Sequence, residues 1–333
     1  MTPEMIARVR DLANLGHGQQ AIADALGVSR RQVRKILAPD SLEGGQIDLS
    51  DLEEQLGELI RKRASGGEPR LPEPAIEANT PQLPESKAPP RATVQVNDVG
   101  WWLVLGDCHL PMHDKGTIEA AVKEAREKQV VGVLLNGDLM DMFAISPFFR
   151  IPSKETFAEE IETGRQFLAW LRSRLPRARF ILREGNHEFR LTRYIAERAA
   201  ELFDLSEIHL PALLHLEKYG VEWVQDKRKV MLGKLTTLHG HELRKGEGVN
   251  PARLAFLRTT ATVLVGHHHR TSEHHQRSLD DKFIAAWSVG CACHLHPDYD
   301  PYGQSNHGYA MVEIQKDGWF SVHNRRVIDG RAV

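Results

Sequence analysis

Five short segments carry metal-ligating side chains, each beside a small or turn-forming residue. They are Asp107-Cys108-His109, Gly137-Asp138-Leu139-Met140-Asp141, Gly185-Asn186-His187-Glu188, His239-Gly240-His241 and Gly266-His267-His268-His269. Carboxylate oxygens, imidazole nitrogens and an amide oxygen suit two adjacent divalent cations. A pair of such cations polarises phosphoryl oxygens and activates water.

Four of the five segments follow an apolar run that reads as a strand. From residue 99 such runs alternate with amphipathic helices, the pattern of a layered α/β domain. A strand over 101–105 ends at Asp107, and a helix over 117–128 leads to a strand over 130–135 that ends at Asp138. A longer helix over 156–175 precedes a strand at 180–182 and then Asn186. Further strands are expected over 229–238, 261–265 and 283–289.

The chain before residue 99 has another character. Residues 69–90 hold seven of the seventeen prolines and few large apolar groups, so they are expected to form an extended tether. Three short helices are expected ahead of it. Thr2 caps the first, with Ile6, Val9 and Ala13 on one face, and the second spans 19–26 until Gly27. Ser29 opens the third, with Gln32 completing a capping box and Val33, Ile36 and Leu37 as its buried stripe. That helix exposes Arg30, Arg31, Arg34 and Lys35 with no acid among them, which suits phosphates and guanine edges. A further helix over 51–63 aligns Leu52, Leu56, Leu59 and Ile60. Its stripe is expected either to dock on the three helices or to make a homodimer. The divisions read from the sequence are 1–40, 41–66 for the connecting helix, 67–98 for the linker and 99–333.

In order and spacing the five motifs, D-x-H, G-D-x-x-D, G-N-H-E, H-G and G-H-x-H, resemble the calcineurin-like metallophosphoesterases over residues 101–333. Residues 21–29 resemble the helix-turn-helix core of bacterial DNA-binding proteins. The first resemblance implies an α/β fold, a two-sheet α/β/β/α sandwich with its site along one edge. The second implies a small all-α helix-turn-helix domain before it, with Ser29, Arg30, Arg31, Arg34 and Lys35 facing DNA.

Carried over residue by residue, the family pattern implies that Asp107, His109 and His269 hold one ion. Asn186, His239 and His267 would hold the second, with Asp138 bridging. Manganese is expected, with zinc, iron or nickel as alternatives, because oxygen and nitrogen donors without thiolate do not select zinc. A metal-bridging hydroxide would then attack phosphorus in line, and His187 would protonate the leaving oxygen as general acid. Glu188 and Asp141 are expected to orient ligands or backbone amides, or to serve as plain turn and capping acids. His267 and His269 should point to one side of an extended segment, with His268 facing away and His274 and His275 in solvent.

Substrate contacts are expected from Arg190, Arg193 and His241. Cys291-Ala292-Cys293-His294-Leu295-His296 is too tightly spaced for a structural zinc site. It is read instead as a loop beside the metals, where His294, His296, Tyr299 and Tyr302 shape the pocket. Cys108 is read as packing.

With 333 residues and a net charge of −2, the chain shows no global basicity, so any nucleic-acid surface must be local. Three cysteines make no disulfide framework and fit a reducing compartment. The start lacks a signal-peptide pattern and no apolar run is long enough to span a bilayer, so a soluble cytoplasmic protein is expected. The first functional expectation is a DNA-directed phosphodiesterase or nuclease. The alternatives are a nucleotide or small phosphomonoester phosphatase whose helix-turn-helix serves autoregulation, and a DNA-binding regulator with a metal- or nucleotide-sensing domain.

Overall fold

Side-chain alternation along β2 (Gly100–Leu105) sets up the layers. Trp102 and Val104 enter one hydrophobic cluster, while Leu103 and Leu105 enter another on the opposite face. The same division recurs on β3 (Gly132–Leu135) and β4 (Arg179–Arg183). There Leu134 and Ile181 join the first cluster, and Val133, Leu135, Phe180 and Leu182 the second. A strand buried on both faces must be covered by two different layers.

The computed structural model describes residues 3–37, 83–88, 93–147, 156–225, 227–243, 249–296 and 303–333. The chain divides into two units, Met1–Ser86 and Lys87–Val333.

In the second unit, β2, β3, β4 and β5 (Val221–Val224) run parallel. Beside β2 lie the antiparallel strands β11 (Gly308–Ile314), β12 (Phe320–Ile328) and β13 (Arg331–Ala332), giving the order β13-β12-β11-β2-β3-β4-β5. Helices α4 (Lys115–Glu127) and α5 (Phe157–Arg174) cover the outer face through Ile118, Ala121, Phe167 and Leu168. The second sheet has the order β1-β6-β7-β8-β10-β9. Its strands are β1 (Val94–Val96), β6 (Val230–Leu232), β7 (Leu235–Leu238), β8 (Val263–Val265), β9 (Ser272–Arg277) and β10 (Phe283–Ser288). Val230, Leu232, Leu235, Leu264 and Ala285 meet Trp102, Val104 and Ile181 between the sheets. The helix Pro251–Thr259 packs Ala252 and Ala255 on Val263, Val265 and Ala286 outside. The expected four-layer α/β/β/α sandwich is therefore present.

Several boundaries differ from the sequence reading. Residues 94–96, assigned to the linker, form β1 and pair in parallel with Val230–Leu232. The single strand expected over 229–238 is a hairpin, because Gly233 turns the chain at φ 60° between β6 and β7. β9 has the polar sequence SEHHQR and escaped the apolar search, being an edge strand paired with β10 alone. The helix expected over 51–63, its homodimer or docking stripe and most of the Pro-rich tether lie outside the described residues.

The first unit contains α1 (Pro3–Asn14), α2 (Gln19–Leu26) and α3 (Arg30–Ile36). Val9, Ile22, Ala23, Val33 and Ile36 form its core. Gly27 closes α2 at φ 64°, a conformation that costs glycine little. The capping box is formed: the Gln32 amide donates to the Ser29 hydroxyl at 3.3 Å, and Gln32 Oε1 accepts from the Ser29 amide at 2.8 Å. Arg30, Arg31, Arg34 and Lys35 are all exposed. Among the described residues, no helix is long and apolar enough to cross a membrane.

Candidate metal centre

All five motifs follow the C-terminal ends of strands: β2, β3 and β4 in one sheet, β7 and β8 in the other. The loops after β2 and β3 are stitched by main-chain bonds, the amides of Asp107 and His109 donating to Gly137 and Asp138 carbonyls at 3.0 Å each. The loops after β7 and β8 are joined where the Gly266 amide donates to the His239 carbonyl at 2.7 Å.

Asp107, His109, Asp138, His267 and His269 all have φ between 47° and 66°, in the left-handed region. Such backbone costs about 1–3 kcal/mol per residue and persists where the surroundings hold it. This corrects one expectation. Residues 267–269 are not extended, so the period of two does not apply, and His267 and His269 join different groups. His267 clusters with Asp138 and His239, His269 with His109 and Cys293. His268 is half-buried with its ring 5.4 Å from that of His267. His274 is half-buried against Phe256, leaving only His275 in solvent.

Asp138 is central. Its Oδ1 accepts the His187 amide at 2.9 Å. Its Oδ2 is buried with no hydrogen-bond partner among the described residues. That oxygen lies 3.2 Å from His239 Nε2 and 3.9 Å from Nε2 of both His109 and His187. On one side, His269 Nε2 is 3.3 Å from both His109 Nε2 and Asp107 Oδ1. On the other, Asn186 Oδ1 is 3.2 Å from His239 Nε2. Two groups of nitrogen and oxygen donors thus share one orphaned carboxylate oxygen, a set that fits two hard or borderline dications. All seven side chains expected as ligands are gathered here.

Charge within the cluster follows from the same contacts. Burial disfavours the charged ring of His239, but Asp138 outweighs it and pushes the pKa up to about 10. Burial and the neighbouring His239 push His267 down to about 3. Burial also lowers His241 to about 4. Asp107 resists its own burial through His269 and stays at about 2. Two buried carboxylates set close together form a centre of negative charge that suits cations.

Supporting groups surround the donors. Asp141 Oδ1 lies 3.1 Å from His109 Nδ1 and 3.3 Å from His187 Nδ1, orienting both rings. His187 Nδ1 also sits 2.7 Å from the Asp141 carbonyl oxygen. Arg190 donates to that carbonyl at 2.8 Å and lies 3.0 Å from His187 Nε2. His239 Nδ1 reaches the Asn136 carbonyl at 2.8 Å, which fixes the tautomer that points Nε2 into the site. Gly185 is required by close approach: a Cβ there would fall on the Asp138 carboxylate.

The sequence reading missed two contributors. Arg183, buried at the end of β4, pairs with Glu242 at 2.8 Å, and Glu242 accepts the Gly240 amide at 2.7 Å. The pair braces the His239-Gly240-His241 turn from 59 residues away, with no local signal. Cys293, set aside with its segment, is buried with Sγ 3.9 Å from His269 Nδ1, and the Ala292 amide donates to the Asp107 carbonyl at 3.1 Å. Cys108 is buried in the core as expected.

The remaining substrate candidates divide. Arg190 and Arg193 line a cavity of about 920 Å³ that also includes Asn186, although Arg193 is paired with Glu197 at 2.7 Å. The His241 ring stands 5.2 Å from that of His239. His294 and His296 were expected to shape the pocket. They are exposed on the loop beyond Cys293, with ring centroids 6.1 Å apart, and are not gathered with the donors. Tyr299 and Tyr302 lie outside the described residues.

A family model for calcineurin-like phosphoesterases matches residues 102–298, the span that contains all five motifs. The chain belongs to the calcineurin-like phosphoesterase family. This phosphoesterase is accordingly a metal-dependent hydrolase of phosphoesters, and its family implies a dimetal centre.

Solved structures similar to it include a single mutant of Vps29 from Entamoeba histolytica, at 14% identity and TM-score 0.37, covering 70% of this chain and 96% of that one. Yfce, a phosphoesterase from E. coli, matches at 15% identity and TM-score 0.34 over 67% of this chain and 98% of its own. A dimetal phosphatase from Danio rerio matches at 11% identity and TM-score 0.32, covering 70% and 96%. Likeness at these levels adds nothing to the family match. No curated protein matches the chain.

Proposed function

We propose that this phosphoesterase is a DNA-directed phosphodiesterase using two divalent cations, with manganese the most effective. Asp107, His109 and His269 would hold one cation, Asn186, His239 and His267 the other, and Asp138 both. The cations supply Lewis-acid activation of water and of the phosphoryl oxygens. The observation that carries the DNA-directed part is α3, whose Arg30, Arg31, Arg34 and Lys35 are exposed on a helix capped by Ser29. A basic helix after a tight turn suits a major groove, and carrying it in the same chain raises the local concentration of DNA at the hydrolase.

The protein's own groups divide the work. His187 is the proton donor to the leaving oxygen, its ring held by Asp141. Burial disfavours the imidazolium, but Asp138 and Asp141 together raise its pKa above the ordinary value. Arg190, now 3.0 Å from His187 Nε2, would turn to a substrate phosphate and free that nitrogen. Three free buried thiols support a reducing, cytoplasmic setting.

The test compares plasmid, single-stranded DNA, cyclic nucleotides and p-nitrophenyl esters with manganese. DNA cleavage that slows in Arg30→Ala with Arg34→Ala is the expected result. Efficient monoester hydrolysis without DNA cleavage would instead favour a phosphatase whose first unit serves autoregulation.

A further inference from the structure

Helix α6 (Phe189–Arg198) starts at the G-N-H-E motif and leaves one face open beside it. Asn186 belongs both to the donor cluster and to the 920 Å³ cavity, whose wall includes Phe189, Arg190, Arg193, Tyr194 and Arg198. Small-ligand pockets span about 300–1,000 Å³, so this cavity exceeds what a lone phosphate needs.

The wall alternates two chemistries. Phe189 and Tyr194, 45% and 46% exposed, both present their rings to this cavity. Three arginines lie among them against one carboxylate, Glu197. At about 100° per residue these positions fall on one half of the helix circumference. Guanidiniums call for anions and flat rings call for flat apolar partners. A strand of nucleotides alternates the two in the same way, presenting phosphates and bases in turn. Stacking on protein rings needs bases free of a partner strand, so such a wall selects single strands over duplex.

We propose that the α6 face is a subsite for single-stranded nucleic acid. The scissile phosphate sits at the donor cluster, neighbouring phosphates at Arg193 and Arg198, and bases stack on Phe189 and Tyr194. The subsite rests on the DNA-directed phosphodiesterase reading and adds the strand form it takes.

The experiment measures kinetics of the full-length protein with manganese on three substrates: a labelled pentathymidylate, the p-nitrophenyl ester of thymidine 5′-monophosphate, and bis(p-nitrophenyl) phosphate. The pentamer should show a KM at least about tenfold below that of the mononucleotide ester, from stacking of further bases. Tyr194→Ala and Phe189→Ala should each raise the pentamer KM roughly fivefold or more with kcat little changed, while Tyr194→Phe keeps the wild-type value. Arg193→Ala with Arg198→Ala should raise it at low salt and flatten its salt dependence. Equal KM for pentamer and mononucleotide ester, or an unaltered pentamer KM in Tyr194→Ala, overturns the subsite. Plasmid cleavage persisting beside indifference to the pentamer removes this subsite and leaves the DNA-directed reading standing. No DNA cleavage of any kind removes both.

Discussion

Glu188 holds the main chain of Asp138: its Oε2 accepts the Asp138 amide at 2.9 Å and the Gly185 amide at 2.8 Å. Its Oε1 accepts the Met140 amide at 3.0 Å. One buried carboxylate therefore locks the loop after β3 to the loop after β4, and so sets the distance between Asp138 and Asn186. A carboxylate that accepts three amides positions its neighbours without itself ligating.

Glu188→Gln tests that role. The glutamine NH2 cannot accept, so at least one of the three amides faces a donor. The variant should lose about 1–3 kcal/mol of stability, read by denaturant unfolding. It should also bind manganese more weakly at both positions, read by elemental analysis after dialysis. Unchanged metal content would show that the loops hold their spacing without Glu188.

Asp138→Asn should lower occupancy at both metal positions, because the orphaned Oδ2 lies between the two donor groups. The amide keeps the shape but removes the charge that both cations would share. Full two-metal occupancy in this variant would contradict a shared ligand. His267→Ala should lose one ion only, which gives the comparison its scale.

His187→Ala should cut turnover by about 10²–10⁴-fold while both metals stay bound. The defect should shrink for esters with good leaving groups, which need less protonation. Equal defects for good and poor leaving groups would remove the proton-donor role.

The candidate metal donors were legible because each sits in a short motif that needs a turn after a strand, and chain order alone fixes little else. What joins the motifs was not. Arg183 and Glu242 meet across two sheets, and Cys293 reaches His269 only after the chain crosses to β10 and back. β9 hid behind the polar face of an edge strand. β1 hid in a Pro-rich neighbourhood, since three residues carry too short an alternation to stand out. The expected direction of His267 and His269 failed because periodicity presumes extended backbone, and both residues are left-handed.

Acid stability should depend in part on Glu124, away from the metals. Burial raises its pKa, but Arg325 at 2.9 Å and the Tyr309 hydroxyl at 2.7 Å outweigh this and leave it below its ordinary 4.5. A depressed folded-state pKa contributes stability that is complete above the unfolded value and lost as pH falls through the folded one. Glu124→Gln should therefore cost about 1–2 kcal/mol at pH 7, discounted because Arg325 is partly exposed. The gap to wild type should close as pH falls below the ordinary 4.5 and through the lowered folded-state value. Thermal unfolding from pH 3 to 7 reads it, and a constant gap would assign the cost to packing instead.

The first unit should bind duplex DNA through α3, and its salt dependence is the decisive reading. Each phosphate neutralised by an arginine or lysine releases counterions, so affinity falls with log salt at a slope of about 0.9 per contact. Val33 and Ile36 face the core of the three helices, which leaves Arg30, Arg31, Arg34 and Lys35 on the outward side. Arg30→Ala with Arg34→Ala should weaken binding and lower the slope by roughly two. Neither residue contributes to the small core, so the helices should stay folded by circular dichroism. Ser29→Ala is the complementary variant: it removes the cap, worth about 1 kcal/mol, and should weaken binding by loosening the helix while leaving the slope unchanged. A full-length protein whose duplex affinity ignores both salt and the paired arginines would leave α3 as a solvated basic face.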